Sequence, residues 1–137
     1  MSISWLAVVA AIVIGLAVAW AWYADWAFFG TAWRKLTGVT MQDSARAGKA
    51  PLVVLVASIV ATAVALTAAC AIVSTAFGVD SVWLDLGVGV VAWLGFSLST
   101  LAQHNGFELK PVRLTMINSA YQLVLFAAMT LVIGLLQ

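Results

Sequence analysis

Four long apolar stretches, separated by short polar segments, make up most of the chain. They cover residues 3–24, 51–77, 82–103 and 112–136. A helix that crosses a bilayer needs about 20 apolar residues, and each stretch is long enough. Apolar and polar residues do not alternate within them, as they would in the strands of a membrane barrel. The pattern predicts an all-α fold, an integral membrane bundle of four transmembrane helices, with residues 1–137 as a single membrane domain.

The composition also indicates a membrane protein. The chain is 65% hydrophobic and 8% charged, whereas soluble domains are roughly 45–50% apolar and about 25% charged. Residues 1–20 contain no Lys or Arg, so we interpret the first stretch as a retained helix rather than a cleaved signal peptide. A net charge of +1 provides no basic surface for nucleic acid, which we do not expect as a partner.

The distribution of basic residues predicts the orientation in the membrane. Lys and Arg favour cytoplasmic loops. The basic residues all lie in the connections that follow the first and third stretches or, for Arg113, at the start of the fourth: Arg34, Lys35, Arg46, Lys49, Lys110 and Arg113. We therefore expect a protein of the plasma (inner) membrane, with residues 25–50 and 104–112 in the cytoplasm and both termini outside.

Small residues recur in rows, at intervals of four or eight positions, along the first three stretches. Residues four apart are neighbours on a helix, and small ones let two helix backbones approach closely in lipid. The positions we expect to pack are Ala11, Gly15, Ala61, Ala65, Gly87 and Gly95. The rows predict either packing inside the bundle or, for one of them, contact with a second subunit.

An aromatic-rich segment follows the first stretch. Its candidate wall consists of Trp22, Tyr23, Trp26, Phe29 and Trp33. Four of these are spaced by four, three and four, which places them on one face of a helix. One interpretation is an aromatic belt at the lipid headgroups. The alternative is a wall that binds a lipid, a quinone or a cationic head group.

The connection then contains a short predicted helix. Thr40 and Asp43 have the spacing of a capping box, with Asp in place of the usual Glu or Gln. We predict a helix over residues 41–47 that ends at Gly48. Pro51 lies where the first turn of the next helix tolerates proline.

Polar side chains gather where the third stretch ends and the fourth begins. The candidate pocket consists of Ser99, Gln103, His104, Asn118, Tyr121 and Gln122. Polar groups within a membrane need hydrogen-bond partners. Asn118 and Gln122 are one turn apart and are expected to bond Gln103 or Ser99. These residues either hold the helices together or line a polar pocket open to the cytoplasm.

The sequence offers no catalytic, metal or cofactor constellation. With one His and one Cys, it cannot supply a typical structural zinc site. We interpret His104 as a helix-end residue and Cys70 as inert packing. Asp25, Asp85 and Glu108 fall in different regions, so a paired-carboxylate mechanism is not predicted. We therefore expect no enzyme activity, no metal and no cofactor.

Several short motifs resemble those of DUF1761, a membrane protein family of unknown function. They are Trp22-Tyr23, Phe29-Gly30, Trp33, the acidic short helix, Asn105-Gly106-Phe107-Glu108, and the run from Ile117 to Gln122. The resemblance extends over nearly the whole chain and implies the four-span layout. It implies no activity.

Three functions remain open, and the first is favoured. It is a non-enzymatic structural or accessory protein, self-associating or a small subunit of a larger membrane complex, in contact with membrane lipid. The second is a dimeric transporter, channel or binder of a small neutral or amphipathic molecule, lipid-like or quinone-like. The third is a membrane enzyme acting on lipid or quinone, which the missing acid–base pairs disfavour.

Overall fold

A computed structural model describes residues 2–137, and these residues form six helices. The helices are α1 (Trp5–Tyr23), α2 (Gly30–Thr37), α3 (Met41–Ala47), α4 (Ala50–Phe77), α5 (Val82–Phe107) and α6 (Val112–Leu136). Four of them, α1, α4, α5 and α6, are long and apolar enough to span a membrane. The predicted all-α membrane bundle with four candidate spans is confirmed.

Helix α6 lies at the centre of the bundle and packs against α1, α4 and α5. Its buried side chains include Leu125, Met129 and Ile133, which meet Ala11 of α1 and Ile59 of α4 in one core. Helix α5 packs mainly against α6 and leaves most of its surface uncovered by the chain. In a membrane, lipid covers such a surface without a hydrophobic cost.

Helix α5 differs from its prediction in two ways. It continues to Phe107, past the predicted end at residue 103, and it contains a π-helical segment over Trp93–Leu98. Asn105 explains the extension, because its Nδ2 donates a hydrogen bond to Thr115 Oγ1 at 2.9 Å and ties the end of α5 to α6. Within the π-helical segment, Trp93 Nε1 donates to the carbonyl oxygen of Ser119 at 2.8 Å. Both bonds fix α5 against the first half of α6.

A sharp turn separates α1 from α2. The amide of Phe29 donates to the carbonyl oxygen of Trp22 at 2.9 Å, so the chain folds back on the end of α1. Gly30 is in close contact there: a Cβ on it would lie 2.5 Å from the carbonyl oxygens of both Tyr23 and Ala24. The turn therefore requires glycine at this position.

The short helix α3 has the predicted bounds and the predicted capping box. Thr40 Oγ1 accepts a hydrogen bond from the Asp43 amide at 3.0 Å, and Asp43 Oδ2 accepts one from the Thr40 amide at 2.9 Å. The helix ends at Gly48, which has a φ of 68°. The hydrogen bond from the Thr40 backbone, with that from its side chain, holds the pKa of Asp43 below its ordinary value.

Arg34 fixes α2 relative to its neighbours. Its Nε lies 2.6 Å from Asp25 Oδ1, in the turn before α2. Its Nη1 donates to Ser44 Oγ on α3 at 3.0 Å and to the Val39 carbonyl at 3.3 Å. One guanidinium thus holds the turn, α2 and α3 together, using the fork of donors that suits arginine to this role.

Candidate functional site

An aromatic cluster forms where the end of α1 meets the first half of α6. Its members are Trp22, Tyr23, Phe29, Trp33 and Tyr121. The Trp22 and Phe29 ring centroids lie 4.7 Å apart, and the Tyr23 ring lies 6.0 Å from that of Trp33 and 5.0 Å from that of Tyr121. Both contacts of Tyr23 are edge-on, a favoured geometry for aromatic pairs. The cluster holds α2 against the bundle.

Tyr23 also connects the aromatic cluster to the polar patch. Its hydroxyl donates a hydrogen bond to Asn118 Oδ1 at 2.6 Å. Asn118 is half-buried, and so is Gln122 one turn further along α6. The indole nitrogen of Trp22 is buried in the same region without a hydrogen-bond partner in residues 2–137. The structure therefore joins two groups that the sequence analysis treated separately.

Trp26 does not belong to the aromatic cluster. Its side chain is 72% exposed and pairs edge-on with Trp20, at 5.0 Å between ring centroids. The predicted helical face is wrong here, because residues 24–29 are not helical and the spacing of four and three loses its meaning across the turn. Trp20 and Trp26 instead form a separate exposed pair.

Three members of the predicted polar pocket also lie outside the cluster. Ser99, Gln103 and His104 are exposed on α5. The Ser99 hydroxyl donates to the Gly95 carbonyl on its own helix at 2.5 Å. The expected bonds from Asn118 or Gln122 to Ser99 or Gln103 are not formed, because this face of α5 points away from α6. The polar link between these helices is Asn105 with Thr115, a pair that the sequence analysis missed.

The rows of small residues have two different environments. Ala11 and Gly15 on α1 are buried. A Cβ on Gly15 would lie 2.9 Å from Ile59 Cγ2 and 3.3 Å from Leu125 Cδ1, so α1 packs closely against α4 and α6 at this point.

The rows on α4 and α5 face outward. Ala61, Ala65, Gly87 and Gly95 are exposed, and a Cβ on either glycine would meet nothing within 4 Å. Packing inside the chain is therefore the wrong interpretation for these four residues. Ile59, Ala63, Thr67 and Cys70 form the buried face of α4 instead.

An open apolar groove runs between α4 and α5. Its volume is about 520 Å³, and its lining includes Ala69, Gly87, Val91 and Phe96. A second apolar cavity of about 430 Å³ lies between α1, α4 and α6, beside Trp20, Tyr23 and Tyr121. Both are within the usual size range of small-molecule pockets, roughly 300–1,000 Å³.

A buried acid lies at the other end of the bundle, where the sequence predicted no site. Asp85, in the first turn of α5, has an exposed fraction of 0%. Neither of its carboxylate oxygens has a hydrogen-bond partner in the described part of the chain. The only indication in the sequence was its position just inside the third stretch.

In residues 2–137, the His, Cys, Asp and Glu side chains form no group of three or more that could hold a metal ion. Among known proteins, a family model described as a protein of unknown function (DUF1761) matches residues 6–134. Neither the curated proteins nor the solved structures include a match to the chain.

Proposed function

The chain belongs to the DUF1761 family, as its motifs suggested, and from this starting point we propose that it is a non-enzymatic, self-associating membrane protein with a structural or accessory role. The observation that supports self-association is the groove between α4 and α5. Ala69, four residues after Ala65 on α4, and Gly87 on α5 both line this groove.

The groove is open, so a second helix has access to it. A Cβ atom added to Gly87 or to Gly95 would meet no atom within 4 Å. The backbone of another helix can therefore approach α5 closely at both residues. Trp83 and Phe96 lie along the same groove and are 81% and 78% exposed. The surface therefore combines a depression with large side chains that project beside it.

The proposed occupant is the same face of a second copy. Lipid tails are as apolar as the groove, so close contact between small residues, rather than burial from water, has to drive the association. In a two-fold dimer each copy presents the same surface to the other. Trp83 or Phe96 of one copy would then fill the depression beside Gly87 of its partner.

The test introduces a larger side chain at the groove and leaves the fold of the chain unchanged. Gly87→Leu adds bulk in the groove, Gly95→Leu adds it at the other exposed glycine of α5 beside Phe96, and Ala17→Leu adds similar bulk at an exposed small residue of α1, outside the groove. Association of donor- and acceptor-labelled chains is measured in lipid vesicles at decreasing protein-to-lipid ratios. We expect both glycine variants to weaken association about tenfold or more, which corresponds to about 1.4 kcal/mol, and Ala17→Leu to leave it unchanged.

Two results would overturn self-association at this face. One is a wild-type chain that stays monomeric at every protein-to-lipid ratio. The other is a Gly87→Leu chain that associates as well as Ala17→Leu. A larger mass that contains a different protein, seen by native mass spectrometry of gently extracted material, would instead favour an accessory subunit of a complex.

We also propose an orientation in the plasma (inner) membrane. The basic residues of the α1–α4 connection and of the α5–α6 connection lie at one end of the bundle, so the positive-inside rule places that end in the cytoplasm. Both termini and the α4–α5 loop would then face outward. The aromatic cluster would lie near the cytoplasmic headgroups, where Trp and Tyr are favoured.

A second function, binding of a small amphipathic molecule, is favoured by the cavity beside Tyr23 and Tyr121. Its lining is mostly apolar, and the polar groups near it are the Tyr23 hydroxyl and the Asn118 amide. Leu52→Trp would narrow this cavity, whereas Val54→Trp alters an exposed position outside its lining. Retention of one defined non-lipid molecule, lost in Leu52→Trp and kept in Val54→Trp, would support binding. The absence of any retained molecule from the wild-type chain would count against it.

A further inference from the structure

The carboxyl group of Asp85 is enclosed by three helices. It projects from α5 against α6. A Cβ atom added to Gly134 of α6 would lie only 2.9 Å from Asp85 Oδ2. The absence of a side chain on Gly134 therefore makes room for the carboxyl group. From α4, the buried Cys70 thiol faces the carboxyl group. Neither carboxylate oxygen accepts a hydrogen bond within residues 2–137, and the acid is fully buried.

No basic side chain of residues 2–137 lies near this acid. Arg113 is the only charged side chain of α6, and it lies about 30 Å away at the other end of the helix, at 1.5 Å per residue. Residues 2–22 contribute no titratable side chain, and α4 contributes only the Cys70 thiol. Asp80 in the α4–α5 loop acts on Asp85 with a charge of the same sign as an ionised Asp85.

A small polar cavity lies beside this end of the bundle. Its volume is about 300 Å³, and Ser74, Thr75, Asp80 and Gln137 are among its lining residues. Ser74 Oγ and Gln137 Oε1 are buried there without a partner in the described residues. A polar cavity of this size with unsatisfied acceptors is suited to ordered water. The lining also includes Ala71, which is next to Cys70 in the chain, and Gln137 lies three residues after Gly134 on α6.

We propose that Asp85 is a proton-binding site within the membrane bundle, occupied by H⁺ near neutral pH and exchanging that proton with water in the cavity beside Asp80. The ligand is the proton itself, and the acid holds it because no basic side chain of residues 2–137 lies beside the carboxyl group and neither of its oxygens accepts a hydrogen bond there. This inference does not depend on self-association at the α4–α5 groove, since Asp85 faces α6.

A hydrophobic carbodiimide tests the protonation state directly. The O–H proton of a carboxylic acid moves to one carbodiimide nitrogen, and the carboxylate oxygen bonds to the central carbon. The acyl group then migrates to the second nitrogen and leaves a stable N-acylurea, so the whole reagent is added and nothing is lost. An ionised carboxylate lacks the proton that starts this reaction. The full-length chain in lipid vesicles is treated with dicyclohexylcarbodiimide over a range of pH and analysed by intact mass and peptide mapping.

We expect one reagent molecule to add at Asp85 near neutral pH, and the rate to fall as the pH rises. Asp85→Asn should lose this addition and keep the thermal stability of the wild type, because an amide resembles a neutral acid in shape. Asp80→Asn should keep the addition and move the pH midpoint of the rate downward, because it removes a like charge that disfavours ionisation. A purely structural role for Asp85 would not produce that shift.

An infrared measurement covers the case in which the reagent cannot reach the site. The wild type should show the carbonyl band of a protonated carboxylic acid, shifted in D₂O and absent from Asp85→Asn. A spectrum without this band near neutral pH, together with no addition at Asp85, would overturn the proposal. Addition that Na⁺ suppresses at constant pH would also overturn it, in favour of a metal-cation site.

Discussion

The hydroxyl of Tyr23 donates a hydrogen bond to Asn118 Oδ1 at 2.6 Å, across 95 residues of sequence. The bond joins the last turn of α1 to the first half of α6. Around it, the Tyr23 ring contacts Trp33 and Tyr121 edge-on, so the polar pair lies within an aromatic environment. A hydrogen bond in such surroundings competes less with water than one at an open surface.

Removing the Tyr23 hydroxyl should therefore destabilise the bundle measurably. Tyr23→Phe keeps the ring contacts and leaves Asn118 Oδ1 without its donor. Hydrogen bonds between transmembrane helices contribute about 0.6–2 kcal/mol, and we expect a loss of about 1 kcal/mol in the free energy of unfolding. The measurement is thermal or denaturant unfolding in detergent.

Tyr121→Phe is the matched control. It keeps the same kind of ring in the same aromatic cluster and removes a hydroxyl that makes no hydrogen bond to another described residue. We expect its stability to stay within about 0.5 kcal/mol of the wild type. Equal losses in the two variants would mean that the Tyr23–Asn118 bond is not what holds α1 to α6.

Two glycines on α5 should respond differently to the same substitution. A Cβ on Gly89 would lie 2.5 Å from Thr130 Oγ1 and 3.1 Å from the backbone carbonyl oxygen of Phe126, whereas a Cβ on Gly87 would meet nothing within 4 Å. Gly89→Ala should cost about 1–3 kcal/mol by overpacking, because a backbone atom cannot move aside as a side chain can. Gly87→Ala should be neutral or slightly stabilising, since alanine favours a helix.

The comparison is made by unfolding at a detergent concentration at which the chain is monomeric. Under this condition an effect of Gly87 on self-association does not enter the measurement. If both variants lose the same stability, α5 does not pack on α6 through Gly89 as described.

The four spans could be predicted from the sequence because length and hydropathy alone determine which segments can cross a bilayer. The same was true of α3, whose capping box is a local pattern between Thr40 and Asp43. The face that each span buries could not be predicted in this way. A row such as Ala61 and Ala65 is equally compatible with a core, a partner or lipid, because all three are apolar.

The sites required knowledge of contacts between distant residues. Tyr23 and Asn118 were each candidates, but their pairing depends on how α1 crosses α6. The spacing of the aromatic residues wrongly grouped Trp26 with the others, because that prediction required a continuous helix through residues 24–29, which are not helical. Asp85 looked like an end-of-span acid, and only the approach of Gly134 on α6 encloses it.

The proposed orientation predicts which loops a membrane-impermeant thiol reagent can reach. With Cys70→Ser removing the native thiol, Ser44→Cys places a thiol on exposed α3 and Asp80→Cys places one in the α4–α5 loop. In intact cells we expect labelling of the Asp80→Cys chain only, and of both chains after permeabilisation. The reverse pattern would invert the topology and contradict the assignment from basic residues.

The capping box of α3 should respond to acid in a defined direction. Because hydrogen bonds from Thr40 hold the pKa of Asp43 below its ordinary value of 3.8, the folded state favours the carboxylate. The cap therefore contributes fully to the stability of the fold above that value, and its contribution is lost as the pH falls through the lower pKa of the folded state.

Carboxyl carbon shifts of Asp43, followed by NMR in detergent micelles, should titrate with a midpoint below 3.8. Thr40→Ser should keep this midpoint, and Thr40→Ala should raise it partway, because the backbone donor of residue 40 remains. A wild-type midpoint at or above the ordinary value would mean that the box does not persist in solution.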